Sequence, residues 1–255
     1  MSDEQRSASG AGRGGDAARG GRPKPDPPDL MERGSRGAAS DRRLFLRLVV
    51  IEGGLAADTV ASALRDASVE GCVYLDAHHP GALGVLTIHE DPAELAERVG
   101  PALGALMSPT VRLRHAMTML GRTYALGYEP DLDETLVERP RRTAHRADCP
   151  WAVWYPLRRS GAFARLERDE QMAILREHGT IGMAFGQNDL AHDIRLASHG
   201  LDPNDSDFTV GLVAPQLATI SKLVEKMRPT VQTSTYLERL GPFFVGRRVA
   251  SVPRG

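Results

Sequence analysis

Only two cysteines, Cys72 and Cys149, occur in 255 residues. They are too few for a disulfide framework or a closed four-cysteine zinc site, and they fit a reducing cytoplasm. No apolar run approaches the ~18 residues needed to cross a bilayer, and the N-terminus lacks the uninterrupted hydrophobic stretch of a secretory signal. Bulk charge is missing as well, because 32 Lys and Arg stand against 33 Asp and Glu for a formal charge of -1. The bases are interspersed with acids, so no footprint for counterion release exists and nucleic acid is not an expected partner. The expectation is a soluble, cytoplasmic protein with room for one large or two small domains.

Residues 1–41 are rich in Gly, Arg, Ser, Pro and Asp and poor in apolar side chains. Such a segment cannot bury enough surface to offset its ordering entropy, and a disordered tail is predicted. An RNA-binding arm is the functional alternative, against which stand the mixed charges and the absence of aromatic residues.

From Arg43 onward strands and helices alternate, and one order of elements occurs twice. RLFLRLVVI reads as a strand, ADTVASALRDA as a helix, GCVYLDAHHPGALGVLTIHE as two strands around a His-Pro-Gly turn, DPAELAERVGPALGALM as a helix and TVRLRHAMTML as a strand. WAVWYPL begins the second series, with a helix from about Glu167 to Phe185. DIRLASHGLDPNDSDFTVGLVA then gives two strands, PQLATISKLVEKM a helix, and a last strand lies within TVQTSTYLERL. Both series have the order βαββαβ, which predicts an α+β fold of two ferredoxin-like domains, at 42–120 and 151–248. Two such sheets can pack face to face or form one curved sheet with the helices outside. The linker, 121–150, is longer than structureless connections usually are, and such lengths are commonly functional.

The stretch from Trp151 to Gly186 carries the chemistry. Ile174, His178, Ile181 and Phe185 follow steps of four, three and four, so His178 lies on the apolar stripe of its helix. An imidazole there needs a buried hydrogen-bond partner or a metal, since an unpaired polar group in an apolar setting costs about 1 to 3 kcal/mol. Periodicity alone leaves both open. Tyr155, at the end of the preceding strand, is on the same reading either a packed ring with a hydrogen-bonded hydroxyl or a reactive phenol. His78 and His79 fall at a turn without further ligands for a metal, and no glycine-rich segment has the setting of a phosphate loop.

Tyr155-Pro156, Arg158-Arg159-Ser160, Asp169-Glu170-Gln171, Arg176-Glu177-His178-Gly179, Gly200-Leu201-Asp202, Met227-Arg228 and the GPFFVG segment at 241–246 resemble the chlorite dismutase superfamily, in particular its coproheme decarboxylases. The resemblance covers about 150–248 at residue level and the first half in element order. It implies a dimeric α+β barrel, usually assembled as a homopentamer, that holds haem b or Fe-coproporphyrin III (coproheme). It further implies that His178 is the proximal iron ligand and that Tyr155 becomes a radical when peroxide is the oxidant. In that scheme the phenoxyl takes a hydrogen from a propionate β-carbon, carbon dioxide leaves, and two rounds convert coproheme to haem b. Arg141 and Arg159 fall where the family binds propionates, as arginine's planar fork would do. Thr233 falls where a small hydroxyl residue touches one. On the distal side Asp193 aligns with the family's arginine or glutamine, Arg195 is two residues further on, Glu138 stands at the offset of a distal histidine, and His145 is on the same link. A haem peroxidase, a chlorite dismutase-like enzyme and a non-catalytic haem-binding or transfer protein are the alternative functions.

Overall fold

In a computed structural model, which describes residues 26–255, the duplicated order of elements is present. A small antiparallel hairpin, β1 (Glu32–Arg33) and β2 (Ala39–Ser40), precedes the first series. That series is β3 (Phe45–Glu52), α1 (Ala57–Asp66), β4 (Gly71–Asp76), β5 (Leu83–His89), a π-helical turn (Leu95–Val99) leading into α2 (Gly100–Gly104), then β6 (Arg112–Leu113) and β7 (Met119–Thr123). A second π-helical turn (Glu134–Glu138) runs into α3 (Arg139–His145) between the halves. The second series is β8 (Trp151–Arg159), α4 (Gly161–Ala164), α5 (Arg168–Gln187), β9 (His192–Ala197), β10 (Phe208–Ala214), α6 (Leu217–Met227), α7 (Val231–Tyr236), β11 (Leu237–Leu240) and β12 (Phe244–Val252).

Residues 31–255 form one compact unit. Among the described residues, ten strands make one antiparallel sheet in the order β10-β9-β7-β3-β5-β4-β12-β8-β11, with β6 on β3. Because β8 also pairs with β10, the path closes on itself. The two ferredoxin-like halves are joined at two seams, β7 against β9 and β4 against β12. The fold is therefore α+β, with both halves contributing to a closed barrel that removes most open edges.

Strand periodicity divides this barrel into an inside and two outer faces. Along β8, Ala152 and Trp154 point inward among Leu46, Leu86, Ile194 and Phe244, whereas Val153, Tyr155 and Leu157 point outward into a cluster with Phe185, Ile220 and Leu223. The outer face of the first half packs α1 and α2 through Val60, Leu64 and Leu103. Trp154 fits inside because Gly211 stands opposite it, where a Cβ would lie 2.5 Å from the indole.

Three expectations differ from the structure. The predicted tail lies outside the described residues up to 25, but 32–40 form the hairpin, where Glu32 accepts from Arg122 and from the Ala125 backbone N–H. A partly buried carboxylate thus supplies the ordering that apolar residues do not. Within 230–240 the expected strand is present as β11, paired with β8, but the helix α7 precedes it. The strand that completes the second series is β12, which bridges β8 and β4. The linker carries a helical stretch at 134–145, and Leu136, Val137 and Ala144 bury into the barrel-side core.

Candidate functional site

α5 is positioned by its apolar stripe. Ile174 and Phe185 are buried and Ile181 packs on the outer cluster, so His178, on the same stripe, is carried to the inner side of the helix. The helix packs against α6, α7 and β9. His178 Nδ1 lies 3.2 Å from Thr230 Oγ1, in the loop before α7. That hydroxyl also lies 2.8 Å from the Met227 carbonyl oxygen, which can only accept. One hydroxyl thus stands between the imidazole and a carbonyl oxygen. Burial, and then the positive charge of Arg159, hold the imidazole below its ordinary pKa. It is neutral near pH 7, the form in which a histidine can ligate a metal.

The sheet supplies the facing surface. Tyr155 pairs with Val210, and Val210 with Arg195, so the three form one row across β8, β10 and β9 on the outer face. Val153, Leu212 and Asp193 form the adjacent row. Arg195 Nε and Asp193 Oδ2 are 3.0 Å apart, consistent with their sharing one side of the strand. Tyr155 is buried and stacks on Phe243 with ring centroids 4.7 Å apart. Burial, and then the carboxylate of Asp193, push its phenol pKa up. The proton therefore stays on Tyr155 across the neutral range.

Arg159 continues the outward column of β8 beyond Tyr155. Its guanidinium lies 4.5 Å from the Phe208 ring centroid and 4.8 Å from that of Phe163, a sandwich that fixes its plane. Its Nε is buried and has no hydrogen-bond partner among the described residues. Burial pulls its pKa down. An orphaned guanidinium N–H held between two rings is suited to an incoming carboxylate. Thr233 Oγ1 lies 3.3 Å from Thr230 Oγ1, so it too stands beside His178.

The structure does not bring Arg141 to this face. Its Nε donates to Glu70 at 2.9 and 3.1 Å, and a terminal nitrogen donates to Glu90 at 3.3 Å. Glu70 is nearly buried in the first half and requires a cation, so Arg141, expected from the resemblance on a propionate, is here committed to Glu70. His145 is engaged there as well, with Nε2 3.0 Å from Glu70 and Nδ1 2.7 Å from Ser251 Oγ. Glu138 is exposed. Of the four distal candidates, Asp193 and Arg195 are thus the pair on the His178 side. A cavity of about 440 Å³ opens beside Glu70, His89 and Arg141, away from the Tyr155 row.

The Glu70 cluster predicts a pH dependence. Burial alone would lower the pKa of His145, but the Cys72 thiol and the Glu70 carboxylate outweigh it and raise the value from 6.5 to about 9. The folded chain holds this proton more tightly than the unfolded one. The stabilisation is complete below about pH 6.5 and is lost as pH rises through about 9. Denaturant unfolding measured across that window should show the fall, and His145→Gln should flatten it.

Two residues of this face carried no functional signal in the sequence. Thr230 comes to His178 from a distant segment, and Tyr124, just past β7, shares the electrostatic neighbourhood of Arg159, Asp193 and Arg195. Glu177, which the helix turns away from the His178 stripe, instead accepts from the Val231 backbone N–H at 3.0 Å and so ties the start of α7 to α5.

Among solved structures, a haem-binding protein from Thermus thermophilus superposes with a TM-score of 0.63 at 17% identity, over 82% of this chain and 92% of that one. A putative chlorite dismutase gives 0.65 at 14% identity, over 82% and 95%. A mutant chlorite dismutase from Candidatus Nitrospira defluvii gives 0.60 at 13% identity, over 83% and 93%. No curated protein matches the chain. At these identities the superpositions establish a shared fold. The family model described as chlorite dismutase matches residues 88–249, well over half of the sequence and including β8, α5 and most of β12, and the chain belongs to that family.

Proposed function

We propose that this protein binds an iron porphyrin between α5 and the outer face of β8, β10 and β9, and that it oxidatively decarboxylates the propionates of Fe-coproporphyrin III with peroxide. The observation that carries the reading is the pairing of His178, whose Nδ1 is engaged by Thr230, with Arg159, whose buried Nε has no partner among the described residues. One is a metal donor and the other a carboxylate receptor, as an iron porphyrin with acidic side chains requires. The charge of Arg159 reaches His178 and lowers its imidazole pKa, which supports their acting on one ligand.

Bound there, the iron porphyrin would supply redox chemistry that no side chain of this chain has. His178 Nε2 holds the metal. Arg159 receives one carboxylate, and Thr233 can donate a hydrogen bond to another. Tyr155 is a buried neutral phenol braced by Phe243, so it can release an electron and a proton together without exposing a radical to solvent. Each propionic acid group converted with one hydrogen peroxide yields one vinyl group, one carbon dioxide and two waters. Arg195, in the Tyr155 row, favours a second reading in which the enzyme acts on an oxyanion; its pairing with Asp193 at 3.0 Å opposes that role.

Incubation with coproheme and peroxide, followed by mass spectrometry of the porphyrin, tests the proposal. Products with three and then two propionates are expected, and a porphyrin of unchanged mass refutes decarboxylation. Arg159→Ala should weaken coproheme binding about tenfold or more, on the scale of a lost charge-assisted hydrogen bond, as read by absorbance titration.

A further inference from the structure

His178 and Thr230 are 52 residues apart in sequence, yet Thr230 is 3% exposed and presents its hydroxyl to the imidazole. Several contacts hold it there. Its own hydroxyl is anchored on the Met227 carbonyl at 2.8 Å, and its backbone N–H donates to the same oxygen at 3.2 Å. Its carbonyl accepts from the backbone N–H and the hydroxyl of Ser234, both at 2.9 Å. The next residue, Val231, donates its N–H to Glu177, the neighbour of His178 on α5. The His178 helix therefore grips the segment that in turn holds His178.

We propose that Thr230 is a positioning residue that locks His178 in its Nδ1–H tautomer, and that Glu177, by capping α7, keeps Thr230 in register with the ring. The role of this lock in presenting Nε2 to iron rests on the haem reading above; the lock itself is a property of the chain. A hydroxyl with a single proton can donate once, and the Met227 carbonyl takes that proton. Its oxygen then accepts from the ring, which ties the ring proton to Nδ1. An acceptor on the far nitrogen also fixes ring orientation and raises the basicity of the ligating one.

The test begins without any cofactor. In imidazole-labelled apoprotein, at a pH where His178 is neutral, two-bond proton–nitrogen correlation spectra read which nitrogen carries the proton. The wild-type protein should show protonated Nδ1. Thr230→Val, which keeps the side-chain shape, should move the ratio toward the Nε2–H form by about fivefold or more, and Thr230→Ser should restore it. In the ferrous coproheme complex, the iron–imidazole stretching frequency should fall in the valine variant and recover in the serine variant. Protonated Nε2 in the wild type, or one ratio in all three proteins, overturns the proposal. Should the valine variant fail to fold, the wild-type tautomer still decides. Were His178→Ala to bind coproheme with an unchanged spectrum, the haem reading would fail while the tautomer result stood by itself.

Discussion

His178→Ala should reduce coproheme affinity by more than about a hundredfold and remove the axial imidazole signature from the spectrum of whatever porphyrin remains bound. The magnitude follows from a comparison within metal sites: partners that merely orient a ligating histidine are worth roughly 10- to 100-fold in metal affinity, so the ligand itself is worth more. Stability should change little. His178 is partly exposed and, among the described residues, makes one side-chain hydrogen bond, to Thr230, whose loss costs about 1 kcal/mol or shifts the melting temperature by a few degrees. A large loss of binding with a small loss of stability separates a ligand from a packed core histidine, for which the two would change in the opposite proportion. Added imidazole should occupy the space left by the ring and restore part of the spectrum. If binding persists, the metal is held elsewhere, and His145, engaged by Glu70 and Ser251, is not a free substitute.

Tyr155→Phe should abolish the decarboxylated products, lowering turnover by about two orders of magnitude or more, on the scale of deleting a side chain that moves a proton in a chemical step. Phenylalanine keeps the ring that stacks on Phe243 at 4.7 Å, and no hydrogen bond to the Tyr155 hydroxyl occurs among the described residues. Folding stability and porphyrin affinity should therefore be unchanged. A tyrosine retained for packing alone would give full turnover as phenylalanine. Mass spectrometry of the products beside an absorbance titration and a melting curve reads all three quantities. Because burial and Asp193 raise the phenol pKa, its ionisation should not shape the pH profile in the neutral range.

The elements that could be read from the sequence are those governed by local periodicity. The stripe of Ile174, Ile181 and Phe185 puts His178 on the apolar side of its helix, and the apolar run at 151–157 reads as the strand that β8 forms. The duplicated order of elements was likewise visible, since each helix and strand has its own pattern. Barrel closure was not, because the pairing of β8 with β10 and of β4 with β12 depends on registers between distant segments. β12 escaped notice because Arg247 and Arg248 interrupt its alternation, and they are accommodated by a register shift between Arg248 and Ala250. Arg141 was legible only as a basic residue at a plausible offset. Its commitment to Glu70, 71 residues away, is decided by tertiary structure. Thr230 had no signal for the same reason, whereas the GPFFVG segment at 241–246 is visible as part of the family resemblance, and the stacking of Phe243 on Tyr155 is not.

The most direct measurement is a crystal structure of the protein with coproheme bound. The result predicted is iron bonded to His178 Nε2, one propionate against Arg159 between Phe163 and Phe208, and another beside the Tyr155 hydroxyl. Iron bonded to any other side chain, or a porphyrin whose propionates all point away from Tyr155, would contradict it.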